Sequence, residues 1–265
     1  MKSMRFILPL LAALAIMVTL TAPADAQTFT TLASFDGTDG ALPYFGSVVQ
    51  ATNGNYYGST WAGGYGYGVV FQVTPTGTLN DIYSFCAQSN CTDGLNPWSA
   101  PVLGADGNLY GTILNGGNGG AAGAGFGTVF KLTIAGKLTT LYSFCPGSVC
   151  TDGQSPVGLV QASNGNFYGT TESGGANNRG AIFEITPPGK FRTLYSFCSE
   201  VNCADGALPY SAPIQASNVN LYGTTGGGGV HGDGTVYEIT PAGSGLCTAS
   251  APKATALTAP PRSVG

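Results

Sequence analysis

Charged residues are scarce in this chain. Only 8% of its 265 residues are Asp, Glu, Lys or Arg, and His231 is the single histidine. With 9 basic against 13 acidic side chains, the formal net charge is −4. No basic stripe exists to replace phosphate counterions, so nucleic acid is not an expected partner. One histidine leaves little for a zinc site, and as a general base His231 would need a positioned partner, for which only nearby Asp233 offers itself. Gly-x-Ser-x-Gly, His-Glu-x-x-His and the phosphate-loop pattern are all missing. Gly227-x-Gly229-x-x-Gly232 matches a dinucleotide fingerprint in letters only, because the strand, helix and distant acid that give it meaning are absent.

What is present begins with an export signal over residues 1–26. Lys2 and Arg5 precede an apolar run from Phe6 to Leu20, and Ala24-Asp25-Ala26 ends in the small-x-small pattern of a cleavage site. The run is short for a bilayer span and no second apolar segment follows it, so no membrane anchor is expected after cleavage. Without Lys2, Arg5 and Asp25, 7 basic and 12 acidic side chains remain, a net charge of −5.

From there one unit of about 54 residues is written four times. Asn-x-Tyr-Gly recurs at Asn55, Asn108, Asn166 and Asn220, and a Gly-Gly pair follows at Gly63, Gly116, Gly174 and Gly228. A Ser-Phe pair recurs at Phe35, Phe85, Phe144 and Phe197, and Asp-Gly followed by Pro at Asp39, Asp93, Asp152 and Asp205. Each copy resolves into four strand-length runs; in the third these are Pro156 to Ala162, Asn166 to Thr171, Ala181 to Thr186 and Phe191 to Phe197. They are rich in Val, Ile, Phe, Tyr and Thr and bounded by Gly, Pro and Asn, the strand signature. Asn53-Gly54, Asp106-Gly107 and Asn164-Gly165 signal two-residue hairpins with positive φ at both central positions. Asn218-Val219 weakens that signal in the fourth copy.

Four antiparallel strands per unit predict an all-β propeller over 27–243, of four blades with four strands each. A parallel β-helix is the rival, with shorter rungs and no need for hairpin turns. If the proline-led run is innermost, the fourth blade lacks its outer strand, and the orphan run Phe29 to Phe35 would supply it and close the ring. Pro101 and Pro213 suit an innermost strand, whose channel edge is unpaired. A four-repeat chain could instead join another chain in a larger ring.

Six of the seven cysteines fall in three equally spaced pairs, Cys86/Cys91, Cys145/Cys150 and Cys198/Cys203. In an oxidising compartment these read as disulfides, each closing a small loop; zinc ligation is the competing reading. Cys247 is left over, free or paired between chains.

The chain resembles the bacterial GloVer-type tandem-repeat proteins, which carry Tyr-Gly-Thr-Thr-x-x-Gly-Gly followed by Gly-Thr-Val-Phe. Tyr168 to Thr171 and Tyr222 to Thr225 match the first motif; Gly127 to Phe130 and Gly234 to Tyr237 match the second. The resemblance covers about residues 28 to 243. It implies export and, in many members, a C-terminal surface anchor, but no established activity. Residues 244–265 are rich in Ala, Pro, Thr and Ser with no apolar segment, so a disordered tail and a secreted, periplasmic or cell-surface protein are expected. The strand order also resembles NHL and gluconolactonase-type propellers, an analogy of fold alone.

Antiparallel order sends the second-to-third loops, the disulfide loops and the blade connections to one face, which holds the variation. Trp61, Tyr65 and Tyr67 in the first copy, Asn177, Asn178 and Arg179 in the third, and His231 and Asp233 in the fourth are its candidate ligand residues. Aromatic rings with amide and guanidinium donors suit a sugar, whose CH face stacks while its hydroxyls hydrogen-bond. The plain alternative is that the rings pack over glycine-rich turns. Asp39, Asp93, Asp152 and Asp205 stand at the inner-strand entrances, where they would either ring the channel mouth around Ca2+ or cap their own turns. No cofactor is otherwise expected. The favoured function is a non-enzymatic binding or surface-interaction module with a glycan or protein partner. The alternatives are a metal-dependent hydrolase or lactonase and a purely structural repeat.

Overall fold

The computed structural model describes residues 27–119, 125–241 and, as backbone only, 255–257. The predicted signal segment and Cys247 lie outside them. Residues up to Thr31 belong to a separate unit, of which 27–31 show no regular structure; everything below concerns the unit that begins at Leu32.

Four antiparallel sheets follow in chain order. The first is β1 (Val49–Gln50), β2 (Tyr56–Ser59), β3 (Val69–Val73) and β4 (Leu79–Ser84). The second has a broken inner strand, β5 (Leu95–Pro97) and β6 (Val102–Leu103), before β7 (Leu109–Asn115), β8 (Thr128–Leu132) and β9 (Leu138–Ser143). The third is β10 (Gln154–Gln161), β11 (Phe167–Ser173), β12 (Ala181–Ile185) and β13 (Phe191–Ser196). The fourth is β14 (Ile214–Gln215), β15 (Leu221–Thr225), β16 (Thr235–Ile239) and β17 (Thr255–Leu257). Four such meanders, whose inner segments converge on one pocket, form the blades of a β-propeller.

The closing strand differs from the expectation. The outer strand paired with β16 comes from Thr255–Leu257, inside the stretch expected to be disordered, and residues 29–35 form no strand. The physical reason lies at the first blade. Ala33 and Phe35 are committed to its flank, packed on Val69, Phe71 and Val73, with Phe35 edge-on to Phe71 at 5.0 Å.

The hairpin turns also differ in detail. Ala51 N–H bonds Asn55 O and Gly54 N–H bonds Ala51 O, so the loop has three residues, with positive φ at Gly54 and not at Asn53. Val219 takes the same conformation in the fourth copy, at φ 64°. The Asn218 side chain holds that turn, accepting from Asn220 N–H at 3.1 Å and donating to Tyr222 at 2.8 Å.

Alternating side chains serve two neighbours. Phe183 and Ile185 face the second blade, while Ile182 faces the fourth. Each complete core therefore lies between sheets. Tyr57, Val70 and Phe85 meet Leu109, Phe130 and Leu132 across the first seam, and the next two repeat this with Tyr110, Val129 and Phe144, then Tyr168, Ile182 and Phe197. One recurring glycine is explained by close approach. The glycine of Asn-x-Tyr-Gly pairs across the strands with the third-strand aromatic, whose ring leaves no room for a Cβ: Gly58 with Phe71, Gly111 with Phe130, Gly169 with Phe183, Gly223 with Tyr237.

The seams share polar contacts as well. Asn96, Ser155 and Leu208, all at positive φ, donate N–H to Tyr67, Phe126 and Arg179 O of the preceding blade, each at 2.8 Å. The next residue, Pro97, Pro156 or Pro209, presses against Gly68, Gly127 or Gly180.

Candidate functional site

The disulfide loops explain three of the four aspartates. Cys86–Cys91, Cys145–Cys150 and Cys198–Cys203 are bonded. Behind each bridge the Asp carboxylate is turned inward. Asp93 accepts from the Tyr83 hydroxyl at 2.8 Å and from Ala87 and Gln88 N–H. Asp152 accepts from Tyr142 at 2.7 Å and from Cys145 N–H. Asp205 accepts from Tyr195 at 2.6 Å, from Ser199 N–H and hydroxyl, and from Glu200 N–H. Asp39, in the shorter first loop, accepts from Asp36 N–H. The carboxylates thus cap the preceding loop, and no group of three or more His, Cys, Asp or Glu that could hold a metal occurs among the described residues. Burial works to raise the Asp205 carboxyl, but its hydrogen bonds outweigh this and hold it below the usual carboxylate value. Burial and the adjacent Asp205 push the Tyr195 hydroxyl up to about 12, and Tyr83 and Tyr142 are shifted the same way.

The same loops clamp the Gly-Gly turns. Cys91 O accepts from Gly94 and Gly117 N–H, Cys150 O from Gly153 and Gly175, and Cys203 O from Gly206 and Gly229. Gly37 stands where the second cysteine would be in the first copy and accepts from Gly64 N–H without any bridge.

The candidate ligand residues are dispersed. Asn177 donates to Phe197 O, the Asn178 side chain accepts from Gly174 N–H, and Arg179 offers its carbonyl to Leu208; these are turn contacts. Tyr65 lines a shallow pocket with Asp81 and Tyr83 on the first blade, and Tyr67 uses its carbonyl on Asn96. His231 and Asp233 are exposed in the loop between β15 and β16, away from the other candidates' contacts. Trp61 borders a second, larger concavity through its contact with Trp98. Half-buried, it meets Trp98 edge-on at 5.7 Å, and Phe45 stacks on the other tryptophan at 3.9 Å and 17°.

Phe45 and Trp98 form one wall of a cavity of about 300 Å³ where the inner segments of all four blades meet; Tyr210, Ser99, Ser211 and Val157 line the rest. Tyr210 packs over Gly226 and is 50% exposed, and Phe45 is 52% exposed. The Ser99 hydroxyl is buried and, among the described residues, has no partner. The signal missed in the sequence is the residue after the repeat proline: Tyr44, Trp98, Val157 and Tyr210, aromatic in three copies of four. Among the described residues, no carboxylate, imidazole or thiol lines the cavity.

A repeat profile described as the Gloeobacter/Verrucomicrobia repeat matches residues 16–204. The chain belongs to that family. The Gloeobacter/Verrucomicrobia match ends just before Asp205, which opens the fourth copy; this copy carries the same motifs and folds as the same four-stranded unit. No curated protein sequence matches the chain. Among solved structures it is similar to a protein named as a gluconolactonase, at 18% identity and TM-score 0.45, covering 73% of this chain and 59% of the other. It is also similar to a polysaccharide lyase acting as an ulvan lyase, at 16% and 0.47, covering 77% and 52%. A third is PorZ, a surface component of the type-IX secretion system of Porphyromonas gingivalis, at 17% and 0.48, covering 79% and 26%. The chain thus spans less than two thirds of each of these three structures.

Proposed function

We propose that this repeat protein is an exported, non-enzymatic binding module that takes a carbohydrate in the cavity between its inner strands. The observation that carries this reading is the stacked Phe45 and Trp98 pair facing Tyr210 across about 300 Å³. A flat aromatic wall suits the CH face of a sugar ring, and the exposed Ser211 with nearby strand backbone supplies hydrogen bonds to its hydroxyls. The lining offers no acid–base pair beyond the Tyr210 hydroxyl, which favours binding over a hydrolase or lactonase. Export is supported by three disulfides, which persist in oxidising compartments, and by the signal-like first 26 residues.

A glycan-array screen of residues 27–265 tests this, with Trp98→Ala in parallel. Saturable binding lost in Trp98→Ala, with the circular dichroism spectrum unchanged, is the expected result. An array with no binding at all overturns the carbohydrate reading and favours a protein partner.

A further inference from the structure

Three seams between blades are complete, and the two halves of a fourth lie open at opposite ends of the repeat array. At the complete seams Val70, Val129 and Ile182 are fully buried, while Val236, which holds the same register in the fourth blade, is 46% exposed. Ser59 and Thr170 donate their hydroxyls to Ser99 and Ser211 O of the following blade, and Thr112 is buried at the same register; their counterpart Thr224 is exposed. Gly234 has the positive φ of Gly68, Gly127 and Gly180, yet no proline presses on it.

The matching half is on the first blade. Leu42 takes the positive φ of Asn96, Ser155 and Leu208, at 57°, and is 43% exposed; among the described residues its N–H has no acceptor. Pro43 follows it, and Tyr44 and Val48 are exposed beside it. One seam contact is already made here, because Phe35 lies on Phe71 as Phe85 lies on Phe130. The N-terminal segment of the same chain supplies it.

We propose that the fourth blade of one copy docks on the first blade of a second copy, head to tail, through a repeat of the internal seam. The occupant is dictated by complementarity: the surface that fits Val236, Thr224 and Gly234 is the one carried by Leu42 and Pro43, and among the described residues of one chain no seam hydrogen bond or proline contact joins the two. In that seam Leu42 N–H donates to Asp233 O of the neighbour, Pro43 seats on Gly234, and Val236 is buried. Such a heterologous contact forms a ring if the rotation closes and a filament if it does not. Nothing in this proposal depends on the glycan reading.

Light scattering across a concentration series is the first test, using the oxidised chain with Cys247→Ser to remove the leftover thiol. A mass that rises to a multiple of the monomer and returns to the monomer in Val236→Arg is expected; that side chain is exposed, so the variant keeps its fold. A monomer at every concentration, or an oligomer that Val236→Arg leaves intact, overturns the proposal. The second test mixes two single variants, Leu42→Cys and Asp233→Cys. A disulfide-linked heterodimer in the mixture is expected. A bond formed only within a monomer carrying both substitutions shows instead that the chain closes on itself, and also overturns it.

Discussion

The Tyr83 hydroxyl donates to Asp93 across 2.8 Å, and this one bond joins the outer strand of the first blade to the corner that starts the second. Tyr142 with Asp152 and Tyr195 with Asp205 repeat it at the next two corners. Asp93 is fully buried, so removing its carboxylate strands a tyrosine hydroxyl and two N–H donors at once. Asp93→Ala is expected to lose about 3 kcal/mol in urea unfolding, at the upper end for hydrogen bonds to a charged group. Tyr83→Phe, which leaves the backbone donors satisfied, should lose about 1 kcal/mol.

The third pair, Tyr195 with Asp205, gives stability two pH edges. Asp205 has a lowered folded pKa, so its contribution is present above the unfolded carboxylate value near 3.9 and is lost as pH falls through the folded value. Tyr195 is raised to about 12, so its contribution is complete below about pH 10, the unfolded tyrosine value, and disappears as pH climbs to 12. Melting temperature against pH should therefore be flat between these edges. Tyr195→Phe should make the alkaline fall shallower and, with its hydrogen bond to Asp205 gone, lose about 1 kcal/mol at neutral pH; an unaltered alkaline limb would sink this assignment.

Each disulfide closes a loop small enough that its loss should cost about 2 kcal/mol on the loop-entropy estimate. Its position predicts more than a global loss. On reduction, the amides of Gly117, Gly175 and Gly229, which bond the second cysteine's carbonyl, should exchange faster. Gly64, held by Gly37 in the bridge-free first copy, should keep its protection. Uniform loss of protection at all four would contradict this.

Two glycine substitutions of equal size should differ in effect. Gly169→Ala drives a methyl into the Phe183 ring and is expected to cost about 3 kcal/mol, the upper part of the overpacking range. Gly165→Ala meets open space and carries only the left-handed backbone penalty, about 1 kcal/mol. Chemical denaturation of both variants separates the packing effect from the conformational one.

The repeat made most of the architecture readable. In the third copy β10 to β13 fall within two residues of the runs expected, because alternation and turn residues act locally. Two features were not readable for the same reason. Which end supplies the outer strand of the fourth blade depends on competition between distant segments, and Phe35 had a second apolar surface to choose. The cavity is built from the short segments that follow the repeat proline in four copies, so Phe45 and Trp98 become neighbours only once the blades are arrayed. Gly-Gly loop residues such as Asn177 and Arg179 looked available because side-chain variety was visible and backbone bonding was not.

Because Pro97, Pro156 and Pro209 each seat on the glycine of whichever blade precedes them, the fit is local to one joint. Nothing in a joint counts how many units lie on either side. Excising Asp152 to Ala204 would bring Pro209 against Gly127, a pairing of the same kind as the one removed. Duplication or loss of a whole unit therefore keeps every joint chemically intact. Blade number can drift in such a lineage with no compensating substitution, and curvature alone selects the lengths that survive.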